Sequence, residues 1–234
     1  MQVTRDRARM RGVAEGAEHR WDTARVEAFS DGVFAIAITL LVLEIQVEPS
    51  DFDDLWRSLL DKWPAYLAYL TSFCTVGGVW LAHHRLFARL RFVDPTVMRM
   101  NLLLLLFAAF LPFPTGLLAE SFDYSREAER AAVVFYGATA AAIELCMTAA
   151  WRYALAHHEL LHEATNATRH LVHRRGIVSA AMYAALILFA VLVVPRLSAI
   201  AYLLVAMRAV LAPGGEGRLT VRLPGRRASA PPPR

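Results

Sequence analysis

Six long apolar runs punctuate this chain, at 25–47, 62–88, 97–118, 130–155, 171–194 and 197–211. A helix needs about 20 residues to cross the hydrocarbon core of a bilayer, so runs of this length read as membrane spans. In lipid every backbone N–H and C=O must be bonded internally, which leaves helices or closed barrels. The runs lack the strict alternation of barrel strands. The expectation is an all-α membrane protein with six transmembrane helices. The last run is short, and only Pro195 and Arg196 separate it from the fifth.

Composition agrees. Of 234 residues 56% are hydrophobic and 20% charged, values that suit an integral membrane protein better than a soluble domain. The charges cluster between the runs. Arg5, Arg7, Arg9, Arg11 and Arg20 precede the first; Arg85, Arg89, Arg91 and Arg99 lie between the second and third; Arg169, Arg174 and Arg175 between the fourth and fifth; Arg218, Arg222, Arg226 and Arg227 in the tail. The alternate links carry Glu48, Asp51, Asp53 and Asp54, then Glu120, Asp123, Glu127 and Glu129. The positive-inside rule then predicts a multi-pass cell-membrane protein with both termini cytoplasmic. The net charge of +4 is accounted for by these loops, so nucleic acid is not invoked. Cys74 and Cys146 both fall inside apolar runs and suggest neither a disulfide framework nor a zinc site. Residues 1–22 lack an apolar stretch of their own and read as a cytoplasmic N-terminal segment, not a cleavable signal. Residues 23–212 form one transmembrane domain, and 213–234, rich in Pro, Gly and Arg, a disordered cytoplasmic tail.

The first run is unusual at its start, where Arg25, Glu27, Ser30 and Asp31 sit directly against apolar sequence. At 100° per residue Arg25, Phe29, Gly32, Ile36, Leu40, Leu43 and Val47 form one stripe, with Thr39 at its edge. Phe34, Ile38, Leu41 and Ile45 cover the opposite side. Arg25 and Asp31 are about 9 Å apart along the axis and on different faces, so each needs a partner on another helix. Arg25 alone would read as an arginine reaching back to the headgroups. Asp31, a turn and a half inside, points instead to a buried polar network or a water-filled path.

Arg25-Val-Glu-Ala-Phe29-Ser30-Asp31 resembles the RxxxFSD signature of the lysosomal potassium channel family, transmembrane protein 175 type, in its bacterial single-repeat form. The likeness continues in Trp80-Leu-Ala-His83-His84-Arg85-Leu86-Phe87, in Asn101 and in Phe110-Leu-Pro112-Phe113, and covers roughly residues 20–210. It implies a homotetramer in the lipid bilayer whose central pore is lined by helix 1 and conducts K+ ions passively, without a carbonyl filter. It implies an apolar constriction at Ile36, Leu40 and Leu43, and a selectivity layer at Thr39. It implies that Arg25, Phe29, Ser30 and Asp31 pack against Trp80, His83, His84 and Asn101. No enzyme activity and no cofactor are implied beyond K+ as permeant ion. Ile36, Leu40 and Leu43 taken alone would read equally as helix-packing residues.

Two motifs pull elsewhere. Thr75-Val-Gly77-Gly78 looks like the start of a potassium filter, but a filter needs a re-entrant helix and an extended loop. These four residues sit in mid-run, where the glycines are expected to allow close helix contact. His158-Glu159-Leu-Leu-His162 is a literal HExxH, the alternative reading as a membrane zinc metalloprotease. A catalytic zinc needs a third protein ligand, and Thr165 and Thr168 replace the Gly and His of the extended motif. A secondary transporter is the other alternative. It would favour inverted repeats and broken helices; no repeat is evident, although Pro112 and Pro114 would break the third helix.

Overall fold

The computed structural model describes residues 20–162, helical residues at 181, 182, 184, 185, 187 and 188, and 195–211. Most of the fifth run, most of the N-terminal segment and the tail therefore lie outside the described residues. What is described is helical throughout, apart from short turns and two isolated backbone bridges.

Helix α1 spans Thr23–Leu40. Asp22 caps it by accepting the Ala24 N–H at 2.8 Å, which satisfies one of the free donors at the helix start. The helix then tightens into a 3-10 turn, Leu41–Glu44. The following link holds a second 3-10 turn, Pro49–Asp54, closed by a capping box between Glu48 and Asp51, and a short helix α2, Leu55–Asp61. Helix α3 runs Trp63–Phe87, α4 Pro95–Phe110, α5 Pro112–Ser121, α6 Arg126–Ala156 and α7 Pro195–Leu211. Prolines at the first turns of α3, α4 and α5 cost no hydrogen bond there.

Four helical units are long and apolar enough to cross a membrane: Thr23–Glu44, Trp63–Phe87, Pro95–Ser121 and Arg126–Ala156. The third joins α4 to α5 across Leu111. Helix α7 is apolar but shorter. The first four predicted spans thus correspond to observed helices within a few residues.

Helix α3 is the hub, packing on α7, α5 and α1, while α4 packs on α6. Gly137 on α6 permits a close approach: a Cβ there would collide with the Tyr202 hydroxyl and stand 2.8 Å from Ile187 Cγ1. Gly77 plays no such part, since a Cβ there would meet nothing within 4 Å. The expectation that both glycines of Thr75–Gly78 mark a close helix contact therefore fails for Gly77 within this chain. The four residues are helical, in the middle of α3.

A buried polar cluster ties three helices together. Ser72 Oγ lies 2.7 Å from Thr115 Oγ1 and donates to Tyr136 Oη at 3.2 Å, and Thr75 Oγ1 is 3.3 Å from the same phenol. At the end of the bundle where α1 starts, Trp21 pairs with Val93 and Leu90 with Leu161, and Arg20 lies over Phe92 at 4.2 Å.

His158–Leu160 forms a 3-10 turn, Leu161 is extended, and the His162 N–H bonds the Arg89 carbonyl at 3.1 Å. His158 and His162 therefore do not share a helical face. Among the described residues no three His, Cys, Asp or Glu side chains gather as a metal site would require.

Candidate pore helix and its support

Helix α1 buries Val26, Ser30, Phe34 and Ala37, and Leu41 follows in the 3-10 turn. Steps of four, four, three and four put all five on one line along the helix. That line faces α3 and α4. Its apolar members fill space, and its one hydroxyl needs a partner, which sets the chemistry of the motif.

The partner is Asn101 on α4. Asn101 Nδ2 donates to Ser30 Oγ at 3.0 Å, and Ser30 Oγ donates to the Val26 carbonyl at 2.9 Å. The single hydroxyl proton is thereby committed, so the longer 3.4 Å approach of Ser30 Oγ to Asn101 Oδ1 is not a second donation. Asn101 Oδ1 then needs a donor, and His83 Nε2 lies 2.9 Å away. The chain of donors runs from imidazole to amide to hydroxyl to backbone, and it fixes the proton on Nε2. Ser30, His83 and Asn101 are all buried. His83 stacks on Phe87 at 4.2 Å and meets the Phe34 ring edge-on at 5.4 Å. Its Nδ1 is buried without a hydrogen-bond partner.

A second line of contacts lies beside this one and is more exposed. Trp80 Nε1 donates to Asp31 Oδ1 at 2.8 Å, and His84 Nδ1 lies 2.7 Å from Glu27 Oε1. Glu27 and Asp31 are one turn apart on α1; Trp80 and His84 are one turn apart on α3. In each pair the two positions share a face, so the antiparallel helices meet as two rungs. Trp80 and His84 also stack, at 6.2 Å.

Seven of the eight expected network residues are thus placed as follows. Ser30, Asp31, Trp80, His83, His84 and Asn101 are bonded, in two separate groups, and Phe29 is exposed. Arg25, the eighth, is also exposed and has no bonded partner among the described residues. The helical wheel explains both, because Arg25 and Phe29 share the stripe of Ile36. Glu27 was not expected. Its signal was the four-residue spacing to Asp31, matching that between Trp80 and His84.

The remaining candidates stand on a separate, exposed flank of α1. Ile36 is 61% exposed, Leu40 41% and Leu43 65%. Thr39 is exposed, and its Oγ1 donates to the Ile36 carbonyl at 2.9 Å. With its proton held by the backbone, the hydroxyl offers outward only lone pairs, the form that suits a cation. The 3-10 winding beyond Leu40 adds order. Residues three apart eclipse in a 3-10 helix, so Leu43 stands over Leu40 on the bare side while Glu44 stands over Leu41 on the packed side.

Residues 25–112 match the family described as endosomal/lysosomal potassium channel TMEM175. A potassium channel of Chamaesiphon minutus is 43% identical over 159 residues, 67% of this chain and 76% of that protein. A potassium channel of Streptomyces collinus is 45% identical over 131 residues, 56% of this chain and 63% of that one. The mouse endosomal/lysosomal proton channel TMEM175 is 44% identical over 97 residues, 19% of its length. The crystal structure of a lysosomal potassium-selective channel TMEM175 homologue from Chamaesiphon minutus superposes with a TM-score of 0.70 at 37% identity, covering 81% of this chain and 97% of that chain.

Proposed function

The chain belongs to the TMEM175 family, and on that premise we propose that four copies, each with six membrane-spanning helices, assemble around α1 into a potassium-permeable cation channel. Both termini face the cytoplasm. The observation that carries this reading is the division of α1 into a packed face and a bare one. Ile36, Leu40 and Leu43 lie about a third of a turn around the helix from the residues that α1 buries against its own chain, and all three are exposed. The bare line is apolar for three successive turns and begins beyond the polar rungs.

Four such lines around an axis make three stacked apolar rings. A narrow apolar passage sheds water, and a cation stripped of water in an apolar ring is costly, so the rings stop ions without a plug. Thr39 adds four outward lone-pair groups between the rings at Ile36 and Leu40. The rings thus set whether ions pass, and Thr39 influences which ions pass. The Ser30–Asn101–His83 chain and the two rungs hold α1 at a fixed rotation, so that the bare line meets the axis.

Purified protein in a planar bilayer, with potassium on one side and sodium on the other, tests this. Discrete current steps with a reversal potential displaced toward that of potassium are expected. Saturable flux without steps would replace the channel with a transporter.

A further inference from the structure

The pore reading leaves the polar side chain at the far end of the α1 unit without a task, and its surroundings assign one. Glu44 ends the 3-10 turn that follows α1. It eclipses Leu41, which is fully buried, and so it points at the chain's own bundle and away from the bare line. There it meets Gly116 on α5. A Cβ at Gly116 would overlap Glu44 Oε2 and lie 3.1 Å from Glu44 Cδ and 3.8 Å from Cγ. The carboxyl group thus occupies the volume that any other residue at 116 would fill. The turn packs on α5 and α3.

We infer that Glu44 is a positioning residue for the pore: its carboxyl group, seated in the notch left by Gly116, holds the outer end of α1 and thereby fixes where Leu40 and Leu43 stand. The inference rests on the channel reading above. Three features converge on it. The tightening to 3-10 geometry turns Glu44 toward α5 and Leu43 toward the axis together, because the two are neighbours on one turn. The seat is specific, since only glycine leaves it open. The link after Glu44 runs through Ile45 and Gln46 without regular structure before Pro49, so it restrains the turn little from that side.

Single-channel recording in bilayers separates the possibilities. Gly116→Ala expels the carboxyl group while keeping its charge in the chain, and the displaced atoms are the far end of a flexible side chain, so folding is spared. Glu44→Ala empties the seat. Both should change the fraction of time open severalfold and in the same direction, and the double variant should add nothing to either. Glu44→Gln fills the seat at the same shape and should behave as wild type. Open times in Gly116→Ala equal to wild type would overturn the inference, as would Glu44→Gln matching Glu44→Ala, which would make Glu44 a mouth charge instead of a tether. If Gly116→Ala fails to assemble on size-exclusion chromatography, the Glu44→Ala and Glu44→Gln pair decides the question alone. Absence of any current from wild type would instead sink the channel reading.

Discussion

The two faces of α1 carry nearly the same number of apolar side chains and differ in everything else. On the packed face Glu27, Ser30 and Asp31 each find a partner at hydrogen-bond distance on α3 or α4. On the bare face the one hydroxyl, Thr39, turns its proton back to its own helix. A helix that must only pack has no use for this asymmetry. The difference teaches that rotation about the helix axis is what the motif specifies. A hydrogen-bonded line can be satisfied at one rotation alone, whereas an apolar line tolerates many. Substitutions on the packed face should therefore break assembly, and those on the bare face should change current in a protein that still assembles.

The largest effect is expected at Asn101. Asn101→Leu keeps the branched shape but leaves His83 with two unpaired ring nitrogens and strips Ser30 of a donor. An unsatisfied buried polar group costs about 1–3 kcal/mol, a large part of what holds a membrane bundle together. Thermal stability and tetramer recovery in detergent should both fall sharply. Asp31→Ala should cost less, about 1 kcal/mol, because the indole N–H it strands belongs to Trp80, which is 39% exposed and open to water. Equal stability for Asn101→Leu and wild type would remove the donor chain from the account.

Ile36→Asn comes next and tests the other face. The amide holds water in the ring, and current for both potassium and sodium should rise about tenfold, equivalent to about 1.4 kcal/mol off the barrier. Melting temperature should stay near wild type, since Ile36 touches little of its own chain. Unchanged conductance would mean that this face packs against protein and that the pore lies elsewhere.

What was legible in the sequence divides along the same line. The bare stripe of Ile36, Leu40 and Leu43 could be drawn on a wheel because helical periodicity depends on one segment alone. The pairing of the motif with Trp80, His83, His84 and Asn101 came from resemblance, since contacts between residues 50 to 70 apart leave no trace in the spacing of either. Arg25 shows the cost of reasoning from charge: it was expected in the network, yet the wheel already set it on the stripe with Ile36. Glu27 shows the reverse, a bonded residue outside the expected network whose four-residue spacing to Asp31 matches that of Trp80 to His84. Helix α2 was missed because seven residues are too few to show a period. The cluster of Ser72, Thr75, Thr115 and Tyr136 was missed because isolated hydroxyls in apolar runs look inert until three helices meet. HExxH failed as a zinc motif because its residues close a 3-10 turn instead of lining one helical face.

Thr39→Val should act more gently than Ile36→Asn. It removes the outward lone pairs at nearly constant volume and frees no buried group, because the lost proton was bonded to a backbone carbonyl already inside the helix. If the four hydroxyls together contribute only as much as one net hydrogen bond at the low end, ~0.6 kcal/mol, the potassium-to-sodium permeability ratio should fall roughly threefold. Reversal potential reads this directly. Total current should change less than the ratio does, and a ratio equal to wild type would leave Thr39 as one more packing residue.

The smallest effect is expected beyond both faces, in the link that follows α1. Asp51 accepts the Glu48 N–H at 2.8 Å and pairs with Lys62 at 3.0 Å. Those contacts, the backbone donor first and the lysine second, hold its carboxyl below the ordinary carboxylate value. A group with a depressed folded value stabilises the fold above its unfolded value, about pH 4, and loses that contribution as pH falls through the lower folded value. Asp51→Asn should therefore melt slightly lower than wild type at neutral pH, and the gap should close on acidification. The group is too exposed for the gap to be large. Current and reversal potential should not move at all, because neither face of α1 depends on this cap. A shifted reversal potential in Asp51→Asn would show that the link reaches the ion path, and the division of labour between a packed face and a bare one would then have to be extended past Glu44.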